Sequence, residues 1–83
     1  MFVTYVLLSQ KDGRLYVGST SDLTGRLKRH SEGFVNATKH RRPLTLVYQE
    51  IHETLVLAEK RERFFKTGHG RQVLKNLVRY PSG

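Results

Sequence analysis

Five side chains in this sequence have types suited to phosphate chemistry: Tyr5, Tyr16, Arg26, His30 and Glu62. To hydrolyse a phosphodiester, water must lose a proton and the attacked phosphate must be held. Its growing charge must also be neutralised and the leaving oxygen stabilised. An arginine brings an always-charged planar fork matched to phosphate oxygens. A divalent cation on a carboxylate serves several of the other roles. Magnesium keeps most of its waters, so one or two protein carboxylates suffice. Tyr5 or Tyr16 can orient or deprotonate water. A free phenol titrates near about 10, so it needs a cationic setting to ionise at neutral pH. Arg26, His30, a bound metal and the basic field of the protein are candidates for that setting. His30 can instead be the base, or a donor to phosphate.

These residues must be brought together by the elements around them. Phe2 to Leu8 is rich in β-branched and aromatic residues and reads as a strand, Gln10-Lys11-Asp12-Gly13 as a turn, and Leu15 to Gly18 as a returning strand. A regular four-residue loop sets Leu7 opposite Tyr16 and Tyr5 opposite Gly18, so the two tyrosines are diagonal neighbours on one face. A one-residue bulge would separate them. Ser19 to Asp22 then precede an apolar-periodic run, which signals a helix start. At about 100° per residue, Leu23, Arg26, Leu27 and His30 share one arc of that helix, with Lys28 turned away and Gly33 as its end. Phe34 to Arg42 is a basic connector, open to reading as a solvated loop or as a clamp on a nucleic-acid backbone. Pro43 leads into a third strand, Leu44 to Ile51.

Thr54 is placed to cap a second helix running to about Thr67, with Leu55, Ala58 and Phe65 on its buried side, extended by Leu57 and Phe64. Glu62 falls on that side too, where an unpaired charge is costly. It is therefore either half of an ion pair, with Arg61 within the same arc, or a ligand. Gly68-His69-Gly70 reads as a break before a third helix, Arg71 to Val78, packed through Val73, Leu74, Leu77 and Val78. Residues from about 79 to 83 read as a flexible tail. The expectation is one α+β domain over residues 1–83, a small three-stranded antiparallel sheet flanked by about three helices.

Charge points to the partner. Fifteen Lys and Arg against seven Asp and Glu give +8 in 83 residues, and a small domain this basic suits a polyanion. Without cysteine there is no disulfide framework, cysteine zinc site or thiol nucleophile. The apolar runs are too short to cross a bilayer and the start lacks a basic leader segment. The reading is a soluble cytoplasmic protein with no membrane partner.

Taken as an ordered set, these residues resemble a known family. Val3-Thr4-Tyr5, ten residues, then Tyr16-Val17-Gly18 is similar to the paired tripeptides of the GIY-YIG nucleases. Arg26 stands ten residues after Tyr16 and His30 one helical turn later, as in that family. Ala58 to Lys66 resembles its later helix, with Glu62 at the metal-binding glutamate. Phe65 to Arg71 resembles a small, stand-alone bacterial subgroup. The resemblance implies a metal-dependent endonuclease that cuts DNA by water attack, with links to repair or recombination. It implies Tyr5 and Tyr16 lining the site, Tyr5 favoured as base, and Arg26 stabilising the transition state. His30 would assist, and Glu62 would hold one Mg2+ or Mn2+. The subgroup suggests single-stranded or branched DNA. Weak sequence preference is expected, because larger relatives gain specificity from appended domains that this chain lacks. DNA contacts are expected from Lys28, Arg29, Lys39, Arg41, Arg42, Lys66 and Arg71.

Val3 and Thr4 depart from the glycine and isoleucine of the first motif. Thr4 alternates away from Tyr5, so a packing cost is expected there and the chemistry is left intact. Two other readings fit the charge alone: a non-catalytic nucleic-acid-binding module with a vestigial site, and a small basic scaffold on RNA-rich assemblies. Neither calls for an inward carboxylate.

Overall fold

A computed structural model describes residues 1–78. The hairpin β1 (Phe2–Ser9) and β2 (Leu15–Thr20) is followed by α1 (Leu23–Ser31), a 3₁₀ turn at Lys39–Arg41, β3 (Leu44–His52), α2 (Leu55–Phe65) and α3 (Gly68–Val78). The sheet is antiparallel, in the order β2-β1-β3. This is the three-stranded α+β architecture that the sequence predicts. The tail expected from about 79 onward lies outside the described residues.

The hairpin fixes everything that follows. Gly13 takes φ +72° and closes a four-residue loop, with the Ser9 amide donating to the Arg14 carbonyl at 2.9 Å. Tyr5 therefore pairs with Gly18 and Leu7 with Tyr16, without a bulge. Alternation of side chains places Tyr5, Leu7, Tyr16 and Gly18 on one face of the sheet, and Thr4, Val6, Val17 and Ser19 on the other. The second face carries the core, where Val6 and Val17 pack with Phe65, Leu74 and Val78 from α2 and α3. The first face is covered from α1, whose His30 ring stands edge-on to both Tyr5 and Tyr16, with centroids 5.7 and 5.1 Å away.

Several sequence expectations are corrected. Gly68-His69-Gly70 does not break the helix but forms the first turn of α3, with the Thr67 hydroxyl accepting from the Gly70 amide at 3.0 Å. A Cβ at Gly70 would lie 1.7 Å from the Phe64 carbonyl oxygen, so glycine lets α3 start against the last turn of α2. α2 meets the sheet through Ala58, Arg61, Glu62 and Phe65, spaced three, one and three apart. Leu55 and Leu57, expected on the buried side, are 42% and 47% exposed. Leu55 is on the same stripe but one turn early, where no element among the described residues covers it. Leu77 is likewise exposed, while Leu74 and Val78 of α3 are buried as expected. On the sheet side of α2, Arg61 stacks on Phe65, 4.4 Å from the ring centroid. Its fork closes on Glu50 at 2.9 and 3.1 Å, so it does not pair with Glu62. The Thr4 hydroxyl is fully buried yet donates to the Ala58 carbonyl at 2.8 Å, which offsets the expected cost and ties β1 to α2.

Candidate active site

The site forms over β2, an edge strand. Tyr5 is fully buried, and its ring lies across Gly18 on the neighbouring strand. A Cβ at position 18 would come within 2.5 Å of the Tyr5 hydroxyl, so the absence of a side chain there makes room for the phenol. Tyr16 follows on the same face, with the two ring centroids 6.4 Å apart.

α1 brings the cationic groups. Asp22 caps it by accepting from the Gly25 amide at 3.1 Å. Its far end closes on Gly33 at φ +84°, with the Phe34 amide donating to the Arg29 carbonyl at 2.9 Å. Arg26 and His30, one turn apart, then both reach the Tyr5 oxygen. Arg26 Nε donates to it at 3.2 Å, and His30 Nε2 lies 2.8 Å from it. The other His30 nitrogen, Nδ1, is 2.8 Å from the hydroxyl of Thr38, which is itself fully buried.

Glu62 comes from the opposite face. Ser19, next to Gly18 on β2, donates to one carboxylate oxygen at 2.6 Å, and Lys66 holds the other at 2.8 Å. Its charge is felt at the Tyr5 phenol, as the smallest of five influences there. The acid and the two rings thus flank β2 from its two faces, with Ser19 and Gly18 adjacent on the strand between them.

Electrostatics decide the protonation states. Burial pushes the Tyr5 phenol above its ordinary value, and the Arg26 hydrogen bond and charge only partly oppose that rise. The cationic setting expected to ionise it is outweighed by desolvation. Burial, with the Arg26 charge beside it, pushes the His30 imidazole below its usual range. A neutral imidazole has one donor and one acceptor. The consistent assignment has Tyr5 donating to Nε2 while Nδ1–H donates to Thr38. Both His30 ring nitrogens are thus engaged, Nε2 with Tyr5 and Nδ1 with Thr38, so His30 acts through Tyr5.

A stability signature follows. The unfolded chain protonates His30 below about 6.5, while the folded protein resists that proton until lower pH. Between these values the unfolded state binds more protons, so stability falls as pH falls. The loss should begin near pH 6.5 and level off once pH passes below the folded value. Urea titrations from pH 7.5 downward should show it, and in His30→Gln this component should vanish. An unchanged slope in His30→Gln would rule out a buried neutral His30.

Among the other residues expected to contact DNA, Lys28 and Arg29 are exposed on α1, as are Lys39 in the 3₁₀ turn and Arg71 on α3. Arg42 donates to the carbonyls of Ser31 and Lys39 at 3.2 and 3.0 Å, closing the end of α1. Arg41 pairs with Asp12 at 3.2 Å. Ser19 and Thr38 were not singled out by sequence. Ser19 directly follows the second tripeptide, which is a positional hint. Thr38, in an irregular connector, gives none.

The donor set bears on which metal can fit. Among the described residues no group of three or more His, Cys, Asp or Glu converges. A lone carboxylate beside phenols does not suit zinc, which takes three or four protein ligands. It suits a hard cation held mainly by water and substrate phosphate.

A three-stranded sheet that gathers two tyrosines, an arginine, a histidine and one acid at an edge strand has the make-up of a nuclease domain. Residues 1–76 match the model of the GIY-YIG catalytic domain, and the chain belongs to the GIY-YIG nuclease family. It is 44% identical over 69 residues to a UPF0213 protein of Staphylococcus aureus strain Mu3, covering 82% of this chain and 83% of that protein. The same figures hold for UPF0213 protein SA0446 of strain N315. The solution NMR structure of the UPF0213 protein BH0048 from Bacillus halodurans is similar, with a TM-score of 0.57 and 28% identity, covering 98% of this chain and 89% of that one. Among the described residues no helix is long and apolar enough to cross a membrane.

Proposed function

We propose that this protein is a metal-dependent endonuclease that hydrolyses DNA phosphodiester bonds in the bacterial cytoplasm. It acts with weak sequence specificity and a preference for single-stranded or branched substrates. The observation that carries this reading is the Tyr5 hydroxyl, held at once by Arg26 and His30 on the side of β2 that faces Tyr16.

Tyr5 acts as a neutral relay. As water attacks phosphorus, its proton passes to the Tyr5 oxygen while the Tyr5 proton passes to His30 Nε2. The phenol is restored, and the positive charge rests on an imidazolium whose Nδ1–H is held by Thr38. This route needs no free phenolate, which suits a phenol whose pKa burial has raised. Arg26 keeps Nε on Tyr5 and turns its terminal nitrogens to the phosphate oxygens, where a preorganised donor is worth most. Tyr16 orients the attacking water. Glu62 would hold a single Mg2+ or Mn2+, which supplies Lewis-acid stabilisation of the phosphate and the leaving oxygen. Lys66 must release one carboxylate oxygen for this. It is 53% exposed, and an exposed pair one helical turn apart is worth only about 0.3–0.5 kcal/mol.

The test is cleavage of end-labelled single-stranded, duplex and branched oligonucleotides in Mg2+ or Mn2+ against chelator. Cleavage should require the metal. Its rate should hold down through about pH 6.5, the ordinary imidazole value, and fall only at lower pH, where the buried His30 takes a proton and the relay closes. Binding without cleavage in either metal would favour the non-catalytic nucleic-acid-binding module.

A further inference from the structure

A groove of about 870 Å³ runs beside β2, between the hairpin and the α2–α3 pair. It is lined by Tyr16 and by Lys66, the partner of Glu62, and so borders the site. From there it extends to the hairpin loop and α3, lined by Arg14, Arg41, Arg71 and Lys75. Five basic side chains thus face one trough. The acid lining it is Asp12, which is already paired with Arg41. Arg14, Arg71 and Lys75 are exposed, and none pairs with a carboxylate among the described residues.

We propose that this groove binds the single-stranded run of substrate next to the scissile phosphate, with Arg14 and Lys75 as phosphate contacts. The inference rests on the nuclease reading and specifies which strand form the site takes. A one-sided row of cations along a trough tracks a phosphate backbone. The size selects the single strand. Sites of about 300–1,000 Å³ enclose drug-sized molecules, and a few nucleotides are of that scale. A duplex can offer this trough only the outer phosphates of one strand, whereas a single strand can lay several along it. Contacts made to phosphates carry no sequence information, so weak base preference follows from the lining itself. Arg41 is bound to Asp12 and Lys66 to Glu62, which leaves Arg14, Arg71 and Lys75 as the cations free to bind the strand beyond the site.

The experiment is fluorescence anisotropy of a dye-labelled oligothymidylate in chelator across a series of salt concentrations, with cleavage in Mg2+ measured in parallel. R14E/K75E should weaken binding at least about tenfold, with a log–log salt slope shallower by about 1.4, since each single-strand phosphate contact contributes about 0.7. K60E/R63E makes the same charge change on α2 outside the groove, and should cost less than about threefold through the general field. R14Q/K75Q, which removes charge without reversing it, should keep the same ranking. All four positions are exposed, so the variants should melt with the wild type. Equal losses in R14E/K75E and K60E/R63E, or duplex bound more tightly than the single strand, would overturn the groove. Failure of the nuclease reading looks different: oligothymidylate binds, R14E/K75E loses it, and no metal supports cleavage. If cleavage proceeds while the two charge-reversed pairs lose equally, the groove fails and the nuclease reading stands.

Discussion

Glu62→Gln should lower the cleavage rate about a thousandfold and leave the protein folded. A carboxylate-held cation contributes several kcal/mol of transition-state stabilisation, and each 1.36 kcal/mol is a factor of ten. The amide keeps an oxygen that can accept from Ser19, which donates to Glu62 at 2.6 Å, so the β2–α2 contact survives. What the fold loses is the Lys66 pair, half exposed and worth well under 1 kcal/mol. A second variant separates a metal ligand from a mere ion pair. Lys66→Met breaks the same pair from the other side. It should keep kcat and raise KM, because Lys66 lines the groove but holds no metal. If Glu62 served only to pair with Lys66, the two variants would behave alike. Cleavage that persists in Glu62→Gln would move the activity away from this site altogether.

The contrast between Glu62 and its neighbours shows what was legible in the sequence. The facing of Tyr5 and Tyr16 followed from a loop of four residues with glycine at its end, because loop length and register are coupled and strand alternation does the rest. Arg26 and His30 followed from helical periodicity and a capping aspartate, both local properties. The partner of Glu62 was not local. A helical wheel placed Arg61 and Glu62 on one arc, but it could not say that Arg61 would turn to Glu50 on β3 while Glu62 met Ser19 on β2. Thr38 was hidden for a similar reason. It sits in a connector with no periodicity to fix its direction, eight residues from the histidine it supports. Gly68 and Gly70 were read by propensity as a break. The tight approach of α3 to the end of α2, which only the missing Cβ of Gly70 allows, makes this stretch a helix start. At Tyr5, burial, which is invisible in the sequence, outweighs the nearby charge that the sequence displays.

The consequence of that burial is sharpest at Gly18. Gly18→Ala should reduce kcat by about a hundredfold or more, the usual cost of misplacing a catalytic group by about 1 Å, with KM for DNA little changed. The added Cβ would stand 2.5 Å from the Tyr5 hydroxyl and 2.6 Å from the ring carbon that bears it. One of the two must move. The strand is paired to β1 on its inner side, so the ring is the softer partner, and its hydroxyl is placed by Arg26 at 3.2 Å and His30 at 2.8 Å. Swinging the phenol away breaks both bonds and opens the proton route. Gly18 is not among the residues lining the basic groove, so the strand still binds. Overpacking of this kind should also destabilise the fold by about 1–3 kcal/mol, which urea melts can measure separately. The decisive comparison is a double-mutant cycle with Tyr5→Phe. If Gly18 matters through the Tyr5 hydroxyl, alanine at 18 should remove little further activity once that hydroxyl is gone, because residues that act as a unit are strongly non-additive. Full additivity of the two losses would instead mean that Gly18 serves some other contact, and the relay through Tyr5 and His30 would lose its structural basis.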